Sequence, residues 1–278
     1  MPSKNNFGKI VRYIVLIIMS LYTLSPLALL ILNSFKSQVE IDSSPTNFPT
    51  TWNFKYLISA MKQINFLQSF FITLIITIIS VTIITLISSM AAWAMVRCKT
   101  KLSFVLFLMF VSAMLIPFQS VMFPLIHLAD ILNLKNIPGL IIMYSGFGLS
   151  LSVFLYHGFI KSIPKSIEEA AIIDGANIFQ LFWHILFPLL KPITITVIIL
   201  NSMWIWNDYL LPFLVLGNSS TKTLTLELYF AKMQSSQFGS PWELIFPAVL
   251  VSIIPIIVIF LLLQKHFVKG ISAGAIKE

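Results

Sequence analysis

Long stretches without a charged side chain constrain this sequence more than any other feature. Residues 13–35, 63–96, 102–129, 136–160 and 244–264 contain no Asp, Glu, Lys or Arg. Each is long enough to cross the hydrocarbon core, which takes about 20 mostly apolar residues per helix. A sixth apolar run, 192–217, is interrupted once, by Asp208. The pattern predicts an all-α membrane protein with six transmembrane helices at about 13–32, 70–94, 103–126, 139–160, 193–216 and 245–264. Composition agrees: 10% of residues are charged, against roughly 25% in soluble domains.

The first run follows Lys4, Lys9 and Arg12, as a secretory signal would. Its apolar stretch is too long for a signal core and ends in "LILNSFK" without a small-residue cleavage site. It reads as an uncleaved first span. Loop charges then set orientation, because cytoplasmic loops carry excess Lys and Arg. The loops at 1–12, 95–102, 161–192 and 265–278 hold twelve of the 18 basic residues, and the alternate set holds six. Both termini are therefore expected in the cytoplasm. The layout is a cytoplasmic N-terminus 1–12, a membrane domain 13–264 and a cytoplasmic tail 265–278. A net charge of +8 does not imply nucleic acid, because the cations lie in short clusters between apolar runs. One cysteine, Cys98, excludes an internal disulfide.

Several chemistries lack their residues. A phosphate-cradling loop needs two glycines five apart before Lys-Ser/Thr, and none of the 10 glycines form such a pair. Gly270 and Gly274 have helix-dimer spacing but lie in a charged tail, outside the apolar helix that motif requires. The four histidines, 127, 157, 184 and 266, show no metal-ligand spacing. Within the spans the one Asp, Glu, Lys or Arg is Asp208, in "WNDYLLP". Either Trp206, Asn207 and Asp208 line a polar pathway, or Asp208 reaches the outer interface or satisfies a helix broken by Pro212.

One segment between spans is polar and ready to form helix: "SIEEAAIIDGANIFQLFWHILFPLLKP", Ser166 to Pro192. Ser166 and Glu169 have capping-box spacing, which predicts a short helix over 167–174. Gly175 follows where a left-handed residue ends a helix. Asn177 and Gln180 repeat the capping spacing, starting a second helix stopped by Pro188. A helix of about eight residues is not stable alone in water, so it needs a surface to lie on. Glu168, Glu169 and Asp174 argue against the anionic headgroups of the inner leaflet. The small Ala170 and Ala171 would allow close approach of another protein.

These residues resemble a known signature. Glu169-Ala170-Ala171, Gly175 after three residues, then Ile185-x-Phe187-Pro188 after nine is similar to the E-A-A loop of permease subunits of binding-protein-dependent ABC importers. Phe187 stands where Leu is usual. The likeness continues through "SFK" at 34–36, "MAAWAMVRCK" at 90–99, "MLIPFQSVMFPL" at 114–125, "NSMWIWNDYLLP" at 201–212 and the tail "FVKGISAGAIKE". These look like the carbohydrate-uptake branch, and specifically its second, six-helix maltose-type permease.

The resemblance implies a type I importer permease fold whose short cytoplasmic helix is a coupling helix seated on a separate ATPase subunit. Glu168, Glu169, Ala170, Ala171, Asp174, Gly175, Ile185, Phe187 and Pro188 would form the coupling site. Glu169 would meet a basic residue, and Gly175 would make the bend. The chain itself would be non-catalytic and hold no cofactor, with ATP and Mg on the ATPase dimer. Its other partners would be a homologous second permease, an extracellular solute-binding protein, a sugar or oligosaccharide, and membrane lipid. Glycerol phosphate or a polyamine is the alternative cargo, and a stand-alone gradient-driven carrier the alternative class. The tail 267–278 is expected to touch the ATPase pair or run along the cytoplasmic face.

Overall fold

The computed structural model describes residues 4–217, 219–236 and 241–275, with side chains over 8–217, 219–233 and 241–261. Every regular element among them is a helix. In chain order they are α1 (Lys4–Asn33), α2 (Gln38–Ser43), α3 (Lys55–Gln63), α4 (Phe66–Cys98), α5 (Lys101–Ala113), α6 (Phe118–Ile131), α7 (Ile137–Lys161) and α8 (Lys165–Ile173). There follow α9 (Ile178–Leu189), α10 (Lys191–Asn207), α11 (Leu210–Leu216), α12 (Leu224–Ser236) and α13 (Trp242–Ala275). Residues 276–278 of the expected tail lie outside the described residues.

Four helical stretches are long and apolar enough to cross a membrane: Gly8–Asn33, Phe66–Cys98, Ile137–Lys161 and Trp242–Leu261. Two bent pairs, α5 with α6 at 104° and α9 with α10 at 75°, raise the number to as many as six where each pair forms one span. The expected straight span at 103–126 is therefore two helices. The break falls at residues 114–117, because Pro117 donates no N–H and disfavours helical geometry at Ile116. The expected span at 193–216 is also broken, at Asp208, where the backbone is extended (φ −76°, ψ 131°).

The chain forms two compact units. The first comprises residues 1–67 and 227–255. Its α1 is apolar all round, and Ile14, Leu16 and Tyr22 are exposed, the character of a helix solvated by lipid. Beyond α1 the "NSFK" stretch organises the loop that follows. Asn33 donates to the Pro45 carbonyl (2.9 Å), and the fully buried Lys36 donates to Ser44 (2.9 Å) and Pro45 (3.2 Å) carbonyls. Carbonyl oxygens thus replace the water a buried ammonium would lose. Phe35 packs edge-on to Trp52 and Phe54. Gln38 and Glu243 cap each other's helix, with each backbone N–H donating to the other's side chain.

The second unit comprises residues 68–226 and 256–278 and is built around α7, which packs against α5, α10 and α11. Small and polar residues at helical spacing line the buried face of α4: Ser69, Thr73, Thr77, Ser80 and Ser88. Such residues let helices approach closely where lipid supplies no hydrophobic drive between them. The helices approach closely at Gly148 of α7, where an added Cβ would lie 2.7 Å from Asn201 Oδ1 and against Ile84. Asn201 Nδ2 donates to Ser152 Oγ (3.0 Å) and Tyr156 Oη to Thr194 Oγ1 (2.9 Å), tying α10 to α7.

Candidate functional site

α4 ends on "WAMVRC", which places Trp93 and Arg97 one turn apart on a single face. That face receives Glu168 of α8. Arg97 Nε donates to Glu168 Oε1 (2.8 Å), and Trp93 Nε1 donates to Oε2 (3.0 Å). Arg97 Nη2 reaches both Oε1 and the Ile163 carbonyl (3.2 Å), the carbonyl lying just before α8. Glu168 is only 7% exposed. Both carboxylate oxygens and two edges of the guanidinium are occupied, the geometry that makes a charge-assisted pair strong. Ala171 is the second inward residue of α8, and Trp93 also packs on the buried Phe182 of α9.

The helix begins one residue before Ser166. Pro164 occupies its N-cap position and no side chain caps it, so the expected Ser166–Glu169 capping box does not form. Pro164, at φ −59° and ψ 133°, has the non-helical backbone an N-cap residue takes, and its fixed φ is compatible with it. The other end closes as a Schellman motif. Gly175 lies at φ +86°, its N–H donates to Ile172 O (3.0 Å), and Ala176 N–H donates to Ala171 O (3.0 Å). Asn177 and Gln180 then form a reciprocal capping box, with both bonds at 2.9 Å. The next helix does not stop at Pro188. It widens into a π-helical turn over Leu181–Leu186, where Phe187 N–H donates to Phe182 O, and continues through Pro188 to Leu189.

These constraints fix which way each signature residue points. Glu168 and Ala171 face inward. Glu169, Ala170 and Asp174 are exposed, together with Ile172 (59%), Ile173 (84%), Ile178 (64%) and Phe179 (69%). Ile185 lines an open cleft of about 390 Å³ with Asp174, Gly175, Ala176, Gln180 and His184. Phe187 packs between Phe182 and Trp183, and Pro188 lies on the surface at the bend into α10. The outer side of the turn is thus an apolar patch flanked by carboxylates, on a base held by an ion pair.

The other predicted group does not assemble on one face. Trp206 is buried (2% exposed) against Phe70, whereas Asn207 is exposed and donates to Met203 O of its own helix. Asp208 caps the helix break: Oδ1 accepts the Leu210 N–H (3.0 Å) and Oδ2 accepts Tyr144 Oη (3.0 Å). Its carbonyl accepts Thr225 Oγ1 (2.7 Å). Pro212 falls in the first turn of α11, where its missing N–H leaves no bond unmade. An apolar cavity of about 820 Å³ between α6, α7 and α10 carries Asn201 and Trp204 on its wall. Two of the stretches that carry the family likeness, 114–125 and 201–212, supply part of its wall.

The family model for the binding-protein-dependent transport system inner membrane component matches residues 84–273, a stretch that includes α8, its turn and Asp208. The chain belongs to that family. Curated relatives align along nearly its whole length. A probable starch degradation products transport system permease of Thermoanaerobacterium thermosulfurigenes is 41% identical, with 94% of each chain covered. A melibiose/raffinose/stachyose import permease of Bacillus subtilis is 36% identical over 91% of each. A multiple sugar-binding transport system permease of Streptococcus mutans is 34% identical over 96% of each. A solved chain of a bacterial ABC transporter that imports the acidic polysaccharide alginate shares the fold, with a TM-score of 0.79 at 24% identity over 96% of this chain and 98% of that one. As an inner membrane component of this family, the chain is a multi-pass ABC importer subunit.

Proposed function

We propose that this inner membrane component carries a sugar or oligosaccharide across the membrane and that α8 couples it to a separate ATP-hydrolysing subunit. The observation that carries the coupling role is the two-sidedness of α8. Glu168 and Ala171 hold it to the membrane helices, while Ile172, Ile173, Ile178 and Phe179 stay exposed beside Glu169. An exposed apolar patch with a polar rim marks a protein contact. Force applied there passes through the Arg97–Glu168 pair directly into α4, one of the long spans. The excess of basic residues in the same loops supports a cytoplasmic side for α8 and both termini, where ATP is available. ATP and Mg would bind the partner, and Glu169 would meet a cation on it. A homologous second permease and an external solute-binding protein would complete the importer. Trp206, Asn207 and Asp208 would flank the substrate pathway, with Asp208 as the cap that holds the helix break.

Carbohydrate is the cargo best supported, because the curated relatives named above all carry sugar or starch-product names and the apolar runs predicted to span, 13–32, 70–94, 103–126, 139–160, 193–216 and 245–264, hold no Lys or Arg that would select a phosphate ester. The test is uptake of radiolabelled maltodextrin, melibiose and raffinose into proteoliposomes containing the full importer. At least one sugar is expected to accumulate with ATP, and Glu169→Lys is expected to reduce the rate by roughly tenfold or more, as reversing a charge at a contact does. Full uptake by Glu169→Lys would remove the coupling role, and uptake of none of the three would remove the cargo assignment.

A further inference from the structure

A cavity of about 680 Å³ opens beside the Arg97–Glu168 pair, between the end of α4, the start of α5 and the end of α7. Its wall carries Arg97, Lys99, Lys161 and Lys165, and its apolar lining includes Phe104 and Phe107. Arg97 is neutralised by Glu168. Among the described residues, Lys99, Lys161 and Lys165 have no acidic side chain within ion-pair distance. Lys161 instead sits 5.9 Å from the centre of the Phe107 ring. The α5 N-terminus adds to the positive field. Thr100 accepts the Ser103 N–H (3.1 Å), and the first-turn amides of α5 have no partner within their helix.

We propose that this cavity binds the phosphate of an anionic phospholipid headgroup. Three lysines without acidic partners and a helix N-terminus border one concavity, which is the chemistry of a phosphate site. Soluble phosphate esters share that chemistry. The lipid is favoured by position and lining: the cations stand where α4 and α7 leave the apolar spans, and the phenylalanine floor suits a glycerol backbone and the upper acyl chain. Arg97, the partner of Glu168, is also on the cavity wall, so a bound lipid phosphate would bear on how firmly α8 is held. The inference needs only the membrane placement of the chain and is independent of ATPase docking.

The test is native mass spectrometry of the delipidated full-length chain titrated with dioleoylphosphatidylglycerol, dioleoylphosphatidylcholine or glycerophosphoglycerol, the deacylated headgroup. Wild type is expected to retain phosphatidylglycerol about tenfold better than phosphatidylcholine, and Lys99→Gln/Lys161→Gln/Lys165→Gln is expected to lose most of that preference. The three lysines are exposed and unpaired with acids, so the variant keeps its fold, which thermal unfolding checks. A control, Lys55→Gln/Lys62→Gln/Lys232→Gln, is expected to retain lipid as wild type does. Equal retention by wild type and the cavity variant would overturn the site, as would an equal loss in the control. Competition by glycerophosphoglycerol at concentrations matching the lipid would assign the cavity to a soluble phosphate ester and overturn the lipid reading.

Discussion

Glu168→Ala is expected to destabilise the chain by about 3–5 kcal/mol, the cost of leaving one partner of a buried ion pair uncompensated. The loss falls on Arg97, which would keep only the Ile163 carbonyl, and on Trp93, whose N–H would lose its acceptor. Thermal unfolding in detergent or nanodiscs measures it. Arg97→Lys is not a mild change here, because an ammonium cannot reproduce the guanidinium's contacts with both Glu168 and Ile163. The double variant Arg97→Met/Glu168→Met should recover a large part of the loss, since neither charge is then stranded. A double variant as damaged as the sum of the singles would show that the pair does not act as a unit.

Ile172→Asp/Ile173→Asp is expected to leave folding unchanged and to abolish binding of the ATP-hydrolysing subunit. Both side chains are exposed, Ile173 at 84%, so the chain loses no core packing. At a docked interface, two buried carboxylates without partners would cost about 3 kcal/mol or more, a drop above roughly 100-fold in affinity. Thermal unfolding and co-purification of the ATPase, measured on the same preparation, separate the two effects. The contrast with Glu168→Ala is the informative part: neighbouring residues on one short helix, one set failing in stability and the other in assembly.

Most of the architecture could be read from the sequence because lipid leaves few alternatives. A charge-free run of 20 or more residues is long enough to span, and five such runs, a sixth interrupted once by Asp208, and alternating basic loops bound the topology. Bends were harder to see. Pro117 and Asp208 were visible, but proline also occurs inside α1, α6 and α13 without ending them. Whether a proline breaks a membrane helix depends on neighbours that satisfy the freed carbonyl. In the α8 turn, Gly175 and the Asn177–Gln180 box could be read from spacing alone, since both are local backbone chemistry. The division of labour between Glu168 and Glu169 could not, because it depends on Trp93 and Arg97 some 70 positions earlier. The signal that could have found it was the Trp-x-x-x-Arg spacing at the end of α4, which puts a donor pair on one helical face. In the charge count Arg97 was only one more positive residue. The Ser166 capping box misled for a related reason: Pro164 already supplies a helix start, so the serine falls inside the first turn.

The claim that α8 is the point of contact with the ATP-hydrolysing subunit can be probed by proximity. Ala170→Cys in a Cys98→Ser background places one thiol on the exposed side of α8, and Leu132→Cys in the same background places one just beyond α6. Each is labelled with a thiol-reactive benzophenone and irradiated in the assembled importer. The prediction is a photo-cross-link from position 170 to the ATP-hydrolysing subunit and none from position 132. No cross-link from position 170, or equal cross-linking from both, would contradict the docking of α8.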